Sequence, residues 1–149
     1  MIDVQLHNTK TNELIWLELP SKDFENFGEE WEILGAESSD CSVDFEFDED
    51  WELLDLQTMA EDWQMLDEWE NEALIAIVNS GISDLETALG QVGSWVFYPR
   101  MSLAEVAEEL TNDCYNIPQE LQRYFDFEAM GRDLANDGYI ETEYGVLYR

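Results

Sequence analysis

The spacing of apolar residues changes along the chain, and each spacing predicts an element. Residues 4–7 alternate apolar and polar side chains, and residues 13–19 form a largely apolar run. They read as two strands joined by the turn-rich stretch Asn8-Thr9-Lys10-Thr11-Asn12. Pro20 breaks the second strand, and Ser21 can cap a short helix through Phe24 and Phe27. Trp31-Glu32-Ile33-Leu34 predicts a further strand. Residues 43–48 alternate strictly, with Val43, Phe45 and Phe47 on one face and Asp44, Glu46 and Asp48 on the other. Such carboxylates repeat at roughly 6.6–6.8 Å along a strand.

From residue 53 the period becomes helical. Leu56, Met59, Trp63, Leu66 and Trp69 share one face, opposite Glu61, Asp62, Asp67 and Glu68. A second helix is expected over 72–79, with Gly81 beyond its end. Ser83-Asp84-Leu85-Glu86 reads as a capping box opening a third, which ends near Gly90. Residues 95–98 read as a buried strand closed by Pro99. Ser102-Leu103-Ala104-Glu105 is a second capping box, opening a helix to about residue 112. Pro118 suits the first turn of a short helix ending near Tyr124. Asp126 caps a helix that Gly138 stops, and 139–142 with 146–148 form a terminal hairpin turning near Tyr144-Gly145.

The expected fold class is α+β, an elongated chain of three small modules. Residues 1–55 form an N-terminal α/β module, an antiparallel sheet plus a short helix. Residues 56–92 form a central helical module, and 93–149 a C-terminal α+β module. No linker rich in Pro, Gly or Ser separates them.

Composition changes this picture in one respect. The 149 residues carry 36 Asp+Glu against 6 Lys+Arg, a formal net charge of −30. With 45% hydrophobic and 13% aromatic residues, the chain can still bury a core, so the acidity is not that of a disordered tail. Six basic residues cannot supply the phosphate contacts of a nucleic-acid binder or hold an anionic membrane. There is no apolar run of about 18 residues, the length of a membrane span. Residues 1–10 lack a signal-peptide pattern, and Cys41 and Cys114 read as inert thiols outside any metal spacing. A reduced, cytoplasmic protein is the expectation.

Candidate chemistry is sparse. His7 is the single histidine and reads as a strand-surface residue rather than a member of a triad or zinc site. Asp48-x-Asp50-x-Glu52 resembles the start of a calcium loop, but Leu53 and Met59 stand where that loop needs Gly and Glu. Gly90, Gly93 and Gly131 have no lysine beside them and make no phosphate loop. No pair of carboxylates is singled out as acid and base. The tryptophans, at strand or helix spacing, read as core residues rather than stacking platforms. No catalytic residue, cofactor or metal is assigned, and the chain reads as a binding protein, not an enzyme.

The distribution of charge is more telling than its total. No basic residue lies between Lys22 and Arg100, and residues 23–86 hold 22 acids, hence −22. Residues 101–149 hold 11 acids and three arginines, hence −8. A solvated surface normally mixes both signs, and a single-sign field costs stability through self-repulsion. The residues expected to meet a partner are therefore acids of this front segment. Glu29, Glu30, Glu32 and Glu37 surround the Trp31 strand. Asp44, Glu46, Asp48, Glu49 and Asp50 occupy the alternating segment. Asp55, Glu61, Asp62, Asp67, Glu68, Glu70 and Glu72 occupy the helices. B-DNA carries one negative charge per roughly 1.7 Å of axis, so thirty charges match roughly 50 Å of duplex and a dimer's sixty roughly 100 Å.

The run from Ile117 to Leu134 resembles the ArdA antirestriction family. The matching positions are Pro118, Leu121, Tyr124, Asp126, Phe127, Ala129, Gly131, Arg132, Asp133 and Leu134. The aromatic hairpin at 139–148, Trp16-Leu17-Glu18-Leu19-Pro20 and the acidic strand at 30–37 are also similar to the family. The resemblance is specific over 117–148 and extends less specifically over the whole chain. It implies an elongated, dimeric, three-module protein that mimics bent B-DNA. Such a protein occupies the DNA groove of a type I restriction–modification methyltransferase and is encoded by phages or mobile elements. It also implies that the C-terminal module supplies the dimer interface. Tyr139, Tyr144 and Tyr148 are the candidates there, with core packing an equal reading. Arg132 can pair with Glu128, four residues earlier. Two other readings share the charge argument: an inhibitor of another DNA-binding defence system such as a CRISPR effector, and an acidic, chaperone-like binder of basic proteins.

Self-repulsion makes a measurable claim. Raising NaCl from low to moderate concentration is expected to raise the melting temperature, because screening weakens repulsion between exposed carboxylates. A falling melting temperature in the same calorimetric series would remove repulsion as the dominant surface term.

Overall fold

A computed structural model of the chain describes residues 1–39 and 41–149. The described residues form six strands and six α-helices, and the mixed α+β class is the one the patterns predict. The chain divides into two compact units, Met1–Gly90 and Gln91–Arg149.

The first unit opens with β1 (Ile2–Asn8), β2 (Leu14–Leu19) and β3 (Trp31–Ser38). They form an antiparallel sheet in the order β2-β1-β3. The central strand has the cleanest alternation: Ile2, Val4 and Leu6 are buried, while Asp3, Gln5 and His7 face outward. Asn8 is buried at the β1–β2 turn, where its Oδ1 accepts the amides of Lys10 and Thr11 at 2.9 and 3.0 Å. That is the physical content of the turn-rich sequence. A bulge after Gln5 shifts the β3 register, pairing Gln5 with Gly35 and Leu6 with Ile33. Leu34, left without a partner, is exposed. Beyond the Leu19–Pro20 bond, which is cis, the short helix expected from Ser21 is one 3-10 turn at Phe24–Asn26.

Residues 43–48 are not a strand. They alternate in burial, with Val43 buried and Phe45 and Phe47 half-buried, but they pair with no sheet. The segment is held by a side chain instead: Asn79 Oδ1 accepts the Asp44 amide at 2.9 Å, and its Nδ2 donates to the Ser42 carbonyl at 3.0 Å. Phe45 and Phe47 pack against Trp51, with centroids 6.4 and 6.1 Å away. Period-two burial shows that alternate residues meet apolar surface; it does not require a neighbouring strand.

The helical stretch breaks where its apolar period does not. α1 spans Leu53–Gln64 and α2 spans Glu68–Asn79. Asp67 Oδ1 accepts the Glu70 amide at 2.8 Å and Glu70 Oε2 accepts the Asp67 amide at 3.2 Å. This capping box starts a new helix in the middle of the Leu66/Trp69 pattern. α3 (Leu85–Gln91) is capped one residue later than Ser83, through Asp84 Oδ1 and the Thr87 amide at 2.7 Å. The core of these helices includes Leu56, Trp63, Leu74, Ile77 and Leu85. Each such burial contributes roughly 1.5–3 kcal/mol. Of the six tryptophans only Trp63 is buried, so the core reading fails for the rest; Trp16 and Trp69 are exposed, and Trp31, Trp51 and Trp95 are half-exposed.

In the second unit β4 (Val96–Pro99), β5 (Ile140–Thr142) and β6 (Gly145–Tyr148) form an antiparallel sheet in the order β4-β6-β5. β4 is half-buried rather than buried, with Phe97 inside and Val96 exposed. α4 (Leu103–Cys114) carries the expected box between Ser102 and Glu105. α5 (Gln119–Gln122) follows Pro118, and α6 (Phe127–Asn136) is capped by Asp126 through the Ala129 amide at 3.0 Å. α4 and α6 pack together around Val106, Ala107, Leu134 and Val146.

Two glycines fix this unit. Gly145 has φ +142°, and an added Cβ would lie 2.2 Å from the Tyr98 carbonyl oxygen. Gly131 faces the start of α4, where a Cβ would lie 2.9 Å from the Leu103 carbonyl carbon. Gly131→Ala is expected to cost about 1–3 kcal/mol through overpacking. Gly145→Ala should cost more, because backbone strain adds to the clash. Urea unfolding of both variants checks the order.

Candidate functional site

The candidate site is the acidic surface of the first unit, built element by element. Of the sixteen acids expected to meet a partner, Glu30, Glu70 and Glu72 are half-exposed and the other thirteen are exposed. β3 carries Glu32 and Glu37 outward. The sheet register adds two acids that the sequence reading passed over: Asp3 stands opposite both Glu18 on β2 and Glu37 on β3. Three carboxylates therefore cross all three strands in one row, with neighbouring Cβ atoms about 4.5–5.5 Å apart. Residues 3, 18 and 37 are unrelated in sequence spacing, and only strand pairing brings them together.

A second grouping gathers around the extended segment. Glu46, Asp48, Glu49, Asp50, Asp84 and Glu86 line one hollow of about 550 Å³. Asp48 Oδ1 accepts the Asp50 amide at 2.9 Å, shaping the turn before α1. Among the described residues no group of His, Cys, Asp and Glu is arranged to hold a metal ion. Asp55, Glu61, Asp62, Asp67, Glu68, Glu70 and Glu72 stand on α1, on α2 and between them, and do not line this hollow. Glu61 accepts from Gln57 Nε2 at 2.7 Å, while Gln57 Oε1 accepts the Ser21 amide at 2.9 Å.

The surface has almost no counter-ion of its own. Among the described residues the single ion pair is His7–Glu32, across β1 and β3, and no Lys or Arg is within 4.0 Å of a carboxylate. Arg132 accordingly does not pair with Glu128. Arg123 lies over the ring of Tyr124, 5.0 Å from the centroid. Hydrogen bonding to Glu32, and then to Asn12 (His7 Nε2 to Asn12 Oδ1, 2.9 Å), raises the His7 pKa above its usual 6.5. Asp84 is held below the usual carboxylate range by the Thr87 amide and hydroxyl.

The motif near the C-terminus is structural for the most part. Asp126 caps α6, Gly131 admits the α4 backbone and Leu134 fills the core, while Phe127 and Ala129 are half-buried. Pro118, Leu121, Tyr124, Arg132 and Asp133 are exposed. Of the three tyrosines, Tyr139 packs on the α4/α6 core and stacks on Tyr148 with centroids 4.1 Å apart. Burial raises the Tyr139 pKa. Tyr144 is half-buried. Other apolar side chains of this unit are exposed, among them Tyr115, Leu121, Tyr124 and Phe125.

Fold and site together define a strongly acidic α+β protein whose exposed carboxylates have no Lys or Arg paired with them among the described residues. The chain belongs to the ArdA antirestriction protein family, whose model matches residues 4–148. It is thus an antirestriction protein, of a family of inhibitors that act against restriction enzymes. No curated protein matches the chain.

The His7 pair gives the surface a pH signature. A pKa raised in the folded state contributes stability that is fully present below 6.5 and is lost as pH rises through the folded value. His7→Gln is expected to remove that decline from a melting curve series run upward from pH 6, while leaving any acid-side loss unchanged. An identical slope in both proteins would mean that His7 does not carry it.

Proposed function

We propose that this protein mimics B-DNA and competitively inhibits type I restriction–modification enzymes by occupying the DNA groove of their methyltransferase core. The observation that carries this reading is the exposure of thirteen front-segment acids with no Lys or Arg against them. A DNA groove is lined with Lys and Arg that release counterions from phosphate on binding. Carboxylates at strand and helix spacing offer the same charge on a similar scale, on a body with no phosphodiester to cut and no base to methylate.

The protein acts as a homodimer in this reading, joined through the less acidic C-terminal unit. Two copies carrying −30 each can meet only where charge is low. The exposed Tyr115, Leu121, Tyr124 and Phe125 support that placement, beside Tyr139, Tyr144 and Tyr148. The elongated three-module organisation, the cytoplasm of a bacterial host and a phage or mobile-element origin belong to the same proposal.

Displacement of duplex DNA from a purified type I methyltransferase tests it. Neutralising one exposed acid, as in Asp48→Asn, is expected to cost about 0.2–1 kcal/mol, less than about sixfold in inhibition. Neutralising six together, across 44–52, should cost at least about sevenfold, since the small terms accumulate. Abolition by any single substitution would point to a specific site instead of a distributed mimic. Failure to displace DNA, with capture of a CRISPR effector or of basic proteins in general, would favour one of the other two readings.

A further inference from the structure

The first unit holds an aromatic groove that charge mimicry does not require. Phe24, Phe27, Trp31, Phe47 and Trp51 line one open hollow of about 740 Å³. They come from the 3-10 turn, the start of β3 and the segment before α1, which folding brings together. All five rings are half-exposed. Four form two edge-to-face pairs: Phe27–Trp31 at 5.2 Å and 82°, and Phe47–Trp51 at 6.1 Å and 67°. Glu25, Glu29, Glu32, Glu49 and Glu52 line the same groove and are exposed; no Lys, Arg or His lines it, and of these acids Glu32 alone is ion-paired among the described residues, with His7.

Aromatic faces attract cations, arginine above all, and the attraction grows as water is excluded. A guanidinium also forks onto carboxylates and lays its methylene stem on apolar surface. Rings in the wall and carboxylates beside them supply all three contacts. We infer that this groove binds an arginine side chain presented by the basic DNA-binding partner. The identity of the partner rests on the DNA-mimic reading; the binding of arginine does not. A second copy of the chain is a poor occupant, because its own surface would bring carboxylates against Glu25, Glu29, Glu49 and Glu52. Duplex DNA offers phosphates but no comparable ring-lined recess, so the groove would add contacts that salt screens less than it screens exposed charge pairs.

The test uses the full chain and the blocked tripeptide acetyl-Gly-Arg-Gly-amide, with its neutral citrulline counterpart. In NMR titrations the indole N–H signals of Trp31 and Trp51 are expected to shift saturably with the arginine peptide and not with the citrulline peptide. Trp16 and Trp69, outside the groove, should not shift saturably. Phe24→Leu and Trp51→Leu keep the charge, and each should weaken binding about three- to thirtyfold at every salt concentration. Melting curves confirm that the variants are folded; if one is not, the other decides. Equal shifts at all four indoles, a response to citrulline, or unchanged affinity in the folded variant would overturn the proposal. A second arm repeats DNA displacement from the methyltransferase with Phe24→Leu. Loss of inhibition with an unchanged salt slope supports the groove as part of the interface. Wild-type protein that displaces no DNA brings down the mimic reading, while the peptide titration still decides the groove.

Discussion

Everything in this molecule is arranged around one constraint: it has 36 carboxylates and almost no cation to set against them. Burying an unpaired carboxylate is prohibitively costly, so each must reach water. The buried polar residues are therefore neutral: Asn8, Ser38, Gln57 and Thr111. No buried side-chain polar atom among the described residues lacks a hydrogen bond. Thr111, for example, donates to the Ala107 carbonyl at 2.7 Å within α4. Among the described residues no charged side chain is buried in the core.

With so few cations in the chain, the backbone itself is the main source of positive potential for these carboxylates. Helix N-termini present unpaired amides and the positive end of the helix dipole. The carboxylates use them repeatedly. Asp55 accepts the Glu52 amide, Asp67 and Glu70 exchange bonds, Asp84 takes Thr87 and Asp126 takes Ala129. At α4 two acids converge, Glu105 on the Ser102 amide and Glu141 on the Leu103 amide, each at 2.7 Å. The helix C-termini receive nothing in return, since none has a basic residue in its last turn. Local capping thus replaces the salt bridges that a protein of mixed charge would use.

This explains what could be read from the sequence and what could not. Caps are local and carry a residue signature, so Ser102, Asp126 and the stop at Gly138 were legible before the fold was known. The same logic was missed at Asp67, where a continuing apolar period hid the box with Glu70, and misplaced by one residue at Asp84. Non-local arrangements left no signature. The segment at 43–48 alternates like a strand, but Asn79, 35 residues beyond Asp44, ties it down. The row of Asp3, Glu18 and Glu37 exists only in the register of the sheet. The tryptophans misled for a related reason: spacing tells which face a ring is on, not whether anything covers it.

Those uncovered rings bear on how an acidic surface can act selectively. A field of carboxylates accelerates encounter with any basic surface and is screened by salt, as phosphate is. Under the proposed DNA mimicry, charge alone would leave the protein no advantage over the DNA already present. An advantage requires contacts that strengthen when water leaves, and these are apolar or aromatic. The first unit keeps Trp31 and Trp51 half-exposed among carboxylates, although α1 and α2 show that the chain can bury such a ring, as at Trp63. Exposing aromatic area in a marginally stable fold forgoes burial energy. A surface that combines this exposure with single-sign charge is physically suited to a partner that brings both cations and apolar stems, which is what arginine-rich protein surfaces present.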